Sequence, residues 1–248
     1  MPKGSSGIKR VGGRKEAGAS GMLARTIQEA NALAVQLGIA KQADFTGIDV
    51  SAANEMITEI HATREMFPQL KELEYVGSFG NLEHISGRSL PDNALGVFSE
   101  WSSGQKISIG INEKYASPQK ISELRRGLRW EVQELWHPVC CDTVKAQIDH
   151  EIGHWIDRDV QAFRDRQIVR EYRKHLHGVI TTRTLPSGEK VQGSWSMIAG
   201  LSRYADNPRI QEFIAEAWSE YRNNPNPRPI AKAVGDRMVE LYRKGHKK

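Results

Sequence analysis

Cysteine is almost absent from this 248-residue chain, whose only two, Cys140 and Cys141, are neighbours in the sequence. Adjacent cysteines do not readily reach disulfide geometry with each other, so a fold held together by a disulfide framework is excluded. Buried free cysteines are common and inert, which favours a packing role for both thiols over a role as metal ligands or as a redox switch.

Long apolar runs are also missing. No stretch approaches the roughly 18 to 20 uninterrupted apolar residues of a membrane span, and the first residues lack the apolar segment of a secretory signal. Hydrophobic residues at 39% and charged residues at 26% are typical of soluble globular chains. We therefore expect no membrane partner and a cytoplasmic address by default; delivery by a signal-less secretion system or packaging into a virion would leave no mark in these patterns.

Acidic residues are absent from the first fifteen positions, which contain five basic residues and so account for the whole net charge of +5. This Gly- and Ser-rich segment has almost no large apolar side chain to bury, so we predict a disordered basic tail over residues 1–21 and one folded domain over residues 22–245. Because the basic excess lies in the tails and not on the body, the charge pattern argues against nucleic acid as a partner. Nothing in it indicates an oligomeric state.

Apolar residues at three- and four-residue spacing predict a series of helices. Asp49 or Ser51 is the expected cap of the second helix and Asp142 that of the helix that begins near it, because short polar side chains accept hydrogen bonds from the first free amides. The predicted helices cover residues 24–37, 51–67, 117–132, 142–159, 161–177, 209–224 and 230–244.

Strands are predicted where aromatic and β-branched residues alternate between turn signals. The clearest is 105–112, in which Ile107, Ile109 and Ile111 alternate with Ser108 and Gly110, the pattern of a half-buried strand. The Ser-Ser-Gly turn before it predicts a hairpin with the strand 95–101. Further extended segments are expected at 73–79 and in a hairpin or flap over 181–196.

The helix at 142–159 contains the sequence His-Glu-x-x-His at positions 150–154. Residues four apart lie on one face of a helix, so His150 and His154 can bind one zinc ion while Glu151, one position round, holds the metal-bound water. Two unrelated histidines on a surface helix would give the same letters, but this helix is strongly apolar and has Gly153 before its second histidine. The spacing favours a metallopeptidase.

A catalytic zinc needs a third protein ligand. Residue 160 is Val, where the extended metzincin pattern requires a histidine, so a carboxylate is expected instead. Glu212 and Glu216 lie one turn apart on a predicted helix beside an apolar stripe, and from the spacing alone either could turn inward. Asp157 shares the face of the two histidines and could orient an imidazole or a neighbouring chain, or form an ion pair at the helix end.

These motifs resemble a known family. The segment His150-Glu151-Ile152-Gly153-His154-Trp155-Ile156-Asp157, taken with Tyr204 and the later segment Glu212-Phe213-Ile214-Ala215-Glu216-Ala217-Trp218, is similar to the zincins of the anthrax lethal factor type. It is similar too to metallopeptidase domains of phage head proteins and polymorphic toxins. The resemblance is strong over residues 149–157 and 204–221 and weak over most of the remaining 22–244.

The resemblance implies roles for individual residues. Glu212 matches the zinc ligand of the family, Glu216 the carboxylate behind the ligands, and Tyr204 the residue that stabilises the oxyanion. It also implies an α+β zincin-like fold, in which a small twisted sheet packs on the helices that carry the histidines and the glutamates. The strand 105–112 matches the family's edge strand, so Ile107, Ser108, Ile109 and Gly110 would bind an extended peptide substrate. The other histidines, among them His137, match no role.

Two functions of different classes follow. The first is a zinc endopeptidase that hydrolyses protein substrates, with Glu151 as base and Tyr204 at the oxyanion. The alternative is a phage or prophage head component that keeps the fold for assembly, its basic tails contacting nucleic acid or a particle surface. The intact Glu151 favours the enzyme, because a structural zinc site needs no base.

Overall fold

A computed structural model describes residues 23–177, 181–193 and 201–246. The predicted tail at 1–21 and positions 194–196 of the predicted hairpin lie outside the described residues. The helices are α1 (Ile27–Gln36), α2 (Val50–Met66), α3 (Phe79–Ser86), α4 (Glu113–Ala116), α5 (Ile121–Gln133), α6 (Val144–Val160), α7 (Arg166–Leu176), α8 (Ile210–Asn223) and α9 (Pro229–Gly245).

A mixed four-stranded sheet has the strand order β1-β2-β4-β3. Its strands are β1 (Ala40–Asp44), β2 (Leu73–Ser78), β3 (Gly96–Trp101) and β4 (Lys106–Ile111). β1, β2 and β4 run parallel, whereas β3 pairs antiparallel with β4. A separate antiparallel hairpin joins β5 (Thr181–Thr184) to β6 (Lys190–Gly193). The chain is thus an α+β protein, as expected.

The strand at 105–112 is not an edge strand, so its expected position is wrong. β4 lies between β2 and β3, and Ile107, Ser108, Ile109 and Gly110 are all buried. Ser108 and Gly110 are small enough to be covered on the face where a half-exposed strand would carry larger polar groups, which is why the alternating pattern misleads. These four residues cannot bind a peptide. The open edge next to the metal motif is β3, across the predicted Ser-Ser-Gly hairpin.

The helix predictions agree with the structure apart from their ends. Asp49 caps α2, as predicted, but Thr143 rather than Asp142 caps α6. The predicted helix at 161–177 begins late because Gln161 has a left-handed backbone with a φ of 54° and ends α6, and Asp165 then caps α7. β1 was not predicted, since its sequence Ala-Lys-Gln-Ala-Asp has no alternating apolar residues.

The core is organised around α6, which packs against α2, α8, α9 and β3. Trp155 from α6 and Trp218 from α8 are among the largest fully buried side chains. Burial of apolar surface stabilises the fold by roughly 25 cal/mol per Å², so two tryptophans on facing helices bind α6 firmly to α8. Among the described residues no helix has the length and apolar character needed to cross a bilayer.

Candidate metal centre

The two histidines of the motif face α8 at a point where the helices approach closely. A Cβ atom added to Gly153 would lie 2.8 Å from Cα of Ala215 and 3.2 Å from Cβ of Trp218. Only a residue without a side chain allows this approach, so Gly153 determines the distance between α6 and α8. That distance brings the carboxylate of Glu212 to His150 and His154.

Three donor atoms converge on one point. Oε2 of Glu212 lies 3.4 Å from Nε2 of His150 and 3.4 Å from Nε2 of His154, and the three donors all lie within 4.8 Å of one another. A tetrahedral zinc ion with ligand distances of about 2.0–2.1 Å separates neighbouring ligand atoms by about 3.3–3.4 Å. Within the described residues, this is the only group of three or more histidine, cysteine or acidic side chains with such a geometry.

The charge around these donors also suits a cation. Burial opposes protonation of His150, but the carboxylates of Glu212 and Glu216 outweigh it and raise the pKa of the imidazole to about 10. Burial likewise opposes ionisation of Glu212, but the facing imidazoles of His150 and His154 hold its pKa well below the usual range. A divalent zinc ion would displace the proton of His150, and the two imidazoles with the carboxylate would then form an N/O donor set that fits it.

Arg209 and Glu216 hold the ligands from behind. Oε1 of Glu212 accepts a hydrogen bond of 2.6 Å from Nη2 of Arg209, which leaves Oε2 as the oxygen that faces the histidines. Oε1 of Glu216 lies 2.9 Å from Nδ1 of His150. A proton on that nitrogen leaves the lone pair of Nε2 for a metal, the usual arrangement for a ligating imidazole. Arg209 was not among the predicted residues.

Glu216 has two further partners. Its Oε1 lies 3.2 Å from Nδ1 of His137, and its Oε2 accepts a hydrogen bond of 2.7 Å from Oγ of Ser202. Burial opposes its ionisation, but the nearby imidazoles, that of His137 foremost, lower its pKa to about 2. The expectation that His137 has no place in the site is therefore wrong. No spacing in the sequence could link it to Glu216, 79 positions away.

Glu151 connects the metal motif to the open strand. Its Oε2 accepts a hydrogen bond of 2.6 Å from the backbone N–H of Phe98 in β3. A Cβ atom on Gly96 would lie 2.9 Å from Oε1 of Glu151, so glycine is the residue that leaves this carboxylate room. The glutamate thus lies between the imidazoles and the edge of the sheet.

Tyr204 lies beside the imidazole of His150, in a short 3₁₀ helix over Tyr204–Asp206. Its ring centroid is 5.7 Å from that of His150, and the side chain is 38% exposed. Burial, together with the charges of Glu212, Glu151 and Glu216, raises the pKa of its phenol to about 12. The hydroxyl therefore keeps its proton at neutral pH and can donate a hydrogen bond into the cleft.

Asp157 acts on the neighbouring chain. Its Oδ1 accepts a hydrogen bond of 2.8 Å from the N–H of Phe163 and so fixes the turn that follows α6. Burial raises its pKa to about 6. Of the alternatives that the sequence leaves open, this contact corresponds to orientation of a neighbouring chain.

Two cavities of about 770 and 600 Å³ adjoin the three donors, and both are lined by Gly96, His150, Glu151 and Tyr204. The first extends toward α5 and Trp136, the second toward Arg158 and Arg209. A cleft that continues on both sides of the donors can hold a chain that passes through, as well as a small ligand.

Comparisons of the chain with known protein families, with curated proteins and with solved structures found no match. The geometry of the site is therefore the basis for assigning a function.

Proposed function

We propose that this protein is a zinc-dependent endopeptidase related to the zincins of the lethal factor type. The observation that carries the proposal is the convergence of three donors, in which Oε2 of Glu212 lies 3.4 Å from Nε2 of both His150 and His154 and all three atoms lie within 4.8 Å of one another. The position of Glu151 supports it further, because a structural zinc site has no use for a carboxylate next to an open strand.

The edge of β3 supports a peptide substrate. In an antiparallel pair the backbone groups of alternate residues point away from the partner strand. The N–H of Phe98 points to Glu151, so the outward groups belong to Gly96, Phe98 and Glu100. The carbonyl of Glu100 accepts a hydrogen bond from Arg88, whereas Gly96 and Phe98 line the cavity next to the donors. An extended chain can add here through main-chain hydrogen bonds.

Each residue of the site has a separate role in the proposed hydrolysis. When bound, zinc supplies Lewis-acid activation of a water molecule and of a peptide carbonyl. Glu151 takes the proton of the attacking water and returns it to the leaving amine. Tyr204 donates a hydrogen bond to the oxygen that becomes negative as the carbonyl turns tetrahedral. Glu216 keeps the proton of His150 on Nδ1, and Arg209 holds Glu212 in place.

The test compares the wild-type protein with Glu151→Gln and Glu212→Ala. We expect the wild type to bind one zinc ion and to cleave an unfolded protein substrate. Glu151→Gln should keep the metal and lose cleavage by on the order of 1,000-fold or more. Glu212→Ala should lose the metal. Metal analysis and new peptide termini by mass spectrometry are the measurements. Equal cleavage by wild type and Glu151→Gln would contradict the proposed mechanism, and a wild type that binds no zinc would contradict the site.

A further inference from the structure

Glu134 is a buried acidic residue at the C-terminal end of α5, where a negative charge is unfavourable. It directly follows α5, where the carbonyl ends of the helix repel a negative charge, and the residue is only 1% exposed. Both carboxylate oxygens bind Ser187, in the turn between β5 and β6. The N–H of Ser187 donates to Oε1 at 2.8 Å and its hydroxyl to Oε2 at 2.7 Å. These contacts attach the hairpin to the end of α5.

Leu135 has a strained backbone at the same position. Its φ of 62° is left-handed, a conformation that is unfavourable for a residue with a side chain and occurs where the surroundings impose it. The end of α5 imposes it, since the N–H groups of Leu135 and Trp136 donate to the carbonyls of Val132 and Glu131 at 3.1 and 2.8 Å. The side chain of Leu135 then packs with Leu185 and Val191 in an apolar cluster separate from the main core. The turn at Leu135 is therefore closed by α5 and packed against the hairpin.

In this turn the carbonyl groups of Leu135 and Trp136 point toward the segment that contains Tyr204. The carbonyl of Leu135 accepts a hydrogen bond of 2.7 Å from the N–H of Arg203, and the carbonyl of Trp136 accepts one of 3.2 Å from the N–H of Tyr204. The guanidinium of Arg203 lies 4.1 Å from the ring centroid of Trp136 and reaches Glu189 of the hairpin at 3.2 Å. Tyr204 is thus tied to the hairpin through α5.

The next residue extends the same connection to the metal ligands. His137 approaches Glu216 at 3.2 Å, and Glu216 in turn contacts His150. Four consecutive residues, 134–137, hence contact the hairpin, the backbone of Tyr204 and the carboxylate behind the donors. We call residues 134–137 the bracket.

We propose that the bracket, attached to the β5–β6 hairpin through Glu134 and Leu135, sets the position of Tyr204 in the cleft. Glu134 is then a positioning residue that acts through Tyr204, and the hairpin is a structural element of the site rather than a flap over it. The catalytic meaning of this inference rests on the proposed role of Tyr204 in peptide hydrolysis. The physical link between the hairpin, the bracket and the backbone of Tyr204 does not depend on that role.

Hydrogen exchange, resolved to single amides, tests this physical link. Glu134→Gln replaces one acceptor oxygen by an NH₂ group that cannot accept from Ser187, and Ser187→Ala removes one of the two hydrogen bonds. We expect the amides of Arg203 and Tyr204 to exchange about ten-fold faster in Glu134→Gln, and less so in Ser187→Ala, while amides of α6 keep wild-type protection.

A matched control is Ser122→Ala on the exposed face of α5, which should leave these amides unchanged. Wild-type exchange at Arg203 and Tyr204 in both Glu134→Gln and Ser187→Ala would overturn the inference. If Glu134→Gln does not fold, Ser187→Ala alone decides the question, because it removes only one surface-turn hydroxyl.

Kinetics of peptide cleavage test the catalytic meaning. Glu134→Gln should lower kcat by on the order of ten-fold in the wild-type background, with little change in KM or zinc content, and have no further effect in a Tyr204→Phe background. A merely structural Glu134 would lower kcat equally in both, which would overturn its action through Tyr204. Absence of cleavage by wild type would refute the proposed function, and exchange at Arg203 and Tyr204 would still decide whether the bracket exists.

Discussion

The two sides of the cleft are built in different ways. On the helix side, His150 and His154 of α6 face Glu212 and Glu216 of α8, and all four side chains belong to helices that share the main core. The loop side consists of the β3 edge, which pairs with β4 on its other side, and of Tyr204, which lies in a short 3₁₀ helix and bonds the bracket through its backbone. Helices fix side chains through local geometry, whereas the loop side is fixed by contacts between distant segments.

Separating α6 from α8 should damage the helix side most. Gly153→Val puts a branched side chain where even a Cβ would lie 2.8 Å from the Cα of Ala215, so α8 must move and carry Glu212 away from the histidines. We expect the free energy of unfolding to fall by about 3 kcal/mol and zinc affinity to fall on the order of 100-fold. Urea denaturation and chelator competition measure the two effects.

Gly127→Val in α5 is the matched control, because no atom lies within 4 Å of a Cβ built there. It should stay within about 0.5 kcal/mol of wild type, since valine has a helix propensity no lower than glycine. If Gly127→Val lost as much stability and zinc affinity as Gly153→Val, the effect of Gly153 would not come from the close approach of α6 and α8.

Acid should lower the free energy of unfolding through His175, which contacts Leu201 in the segment that leads to Tyr204. This histidine of α7 is fully buried, accepts a hydrogen bond of 3.3 Å from the N–H of Leu201 and lies 5.4 Å from the ring of Phe213. Burial lowers its pKa to about 4 from an ordinary 6.5. As pH falls below about 6.5 the unfolded chain takes up a proton that the folded protein refuses, so stability declines until about pH 4.

The measurement is urea denaturation of wild type and His175→Gln across this pH range. The wild type should lose on the order of 2–3 kcal/mol more than the variant between pH 6.5 and 4, because the glutamine has no titratable group. Parallel pH profiles of the two proteins would exclude His175 as the cause.

Glu216→Gln should weaken metal binding without dismantling the fold. The amide keeps the shape of the side chain but loses the charge that faces His150 and His137. Carboxylates behind a metal-ligating histidine contribute about 10- to 100-fold to affinity, and we expect a loss in this range by chelator competition. Glu220→Gln, a buried acid one turn further along α8 that pairs with Arg228, should lower stability and leave zinc affinity unchanged. If both variants lost zinc affinity equally, the loss would come from any buried acid of α8 and not from the contact between Glu216 and His150.

The smallest expected effect concerns the loop side alone. Gly96→Ala places a methyl group 2.9 Å from Oε1 and 3.1 Å from Cγ of Glu151, so this side chain must rotate and shift against its hydrogen bond from Phe98. We expect kcat/KM to fall by about ten-fold with zinc content unchanged, since the base is displaced and the donors are not. Gly245→Ala near the end of α9, where no atom lies within 4 Å of the added Cβ, is the control. Loss of zinc in Gly96→Ala would show that the two sides are not separable.

Strand positions are the part of the fold that sequence patterns predict least well. The alternation at 105–112 correctly indicates a strand, but strand order depends on which segments pair, and here β2 occupies the side expected to be open. β1 has no apolar alternation at all and pairs only because β2 offers it a parallel partner. Helices were easier to predict, since their apolar spacing and caps are local.

The sequence by itself determined the shared face of His150, Glu151 and His154, because the period of a helix is a local property. It also placed two glutamates one turn apart, without deciding between them. Only the tertiary structure decided that Glu212 meets the imidazoles while Glu216 lies behind His150, because the approach of α8 at Gly153 sets the rotation of the two helices. It alone placed β3 at the edge beside Glu151, and brought His137, Arg209 and the bracket to the site. Each of these depends on contacts between segments far apart in the chain, which no local pattern encodes.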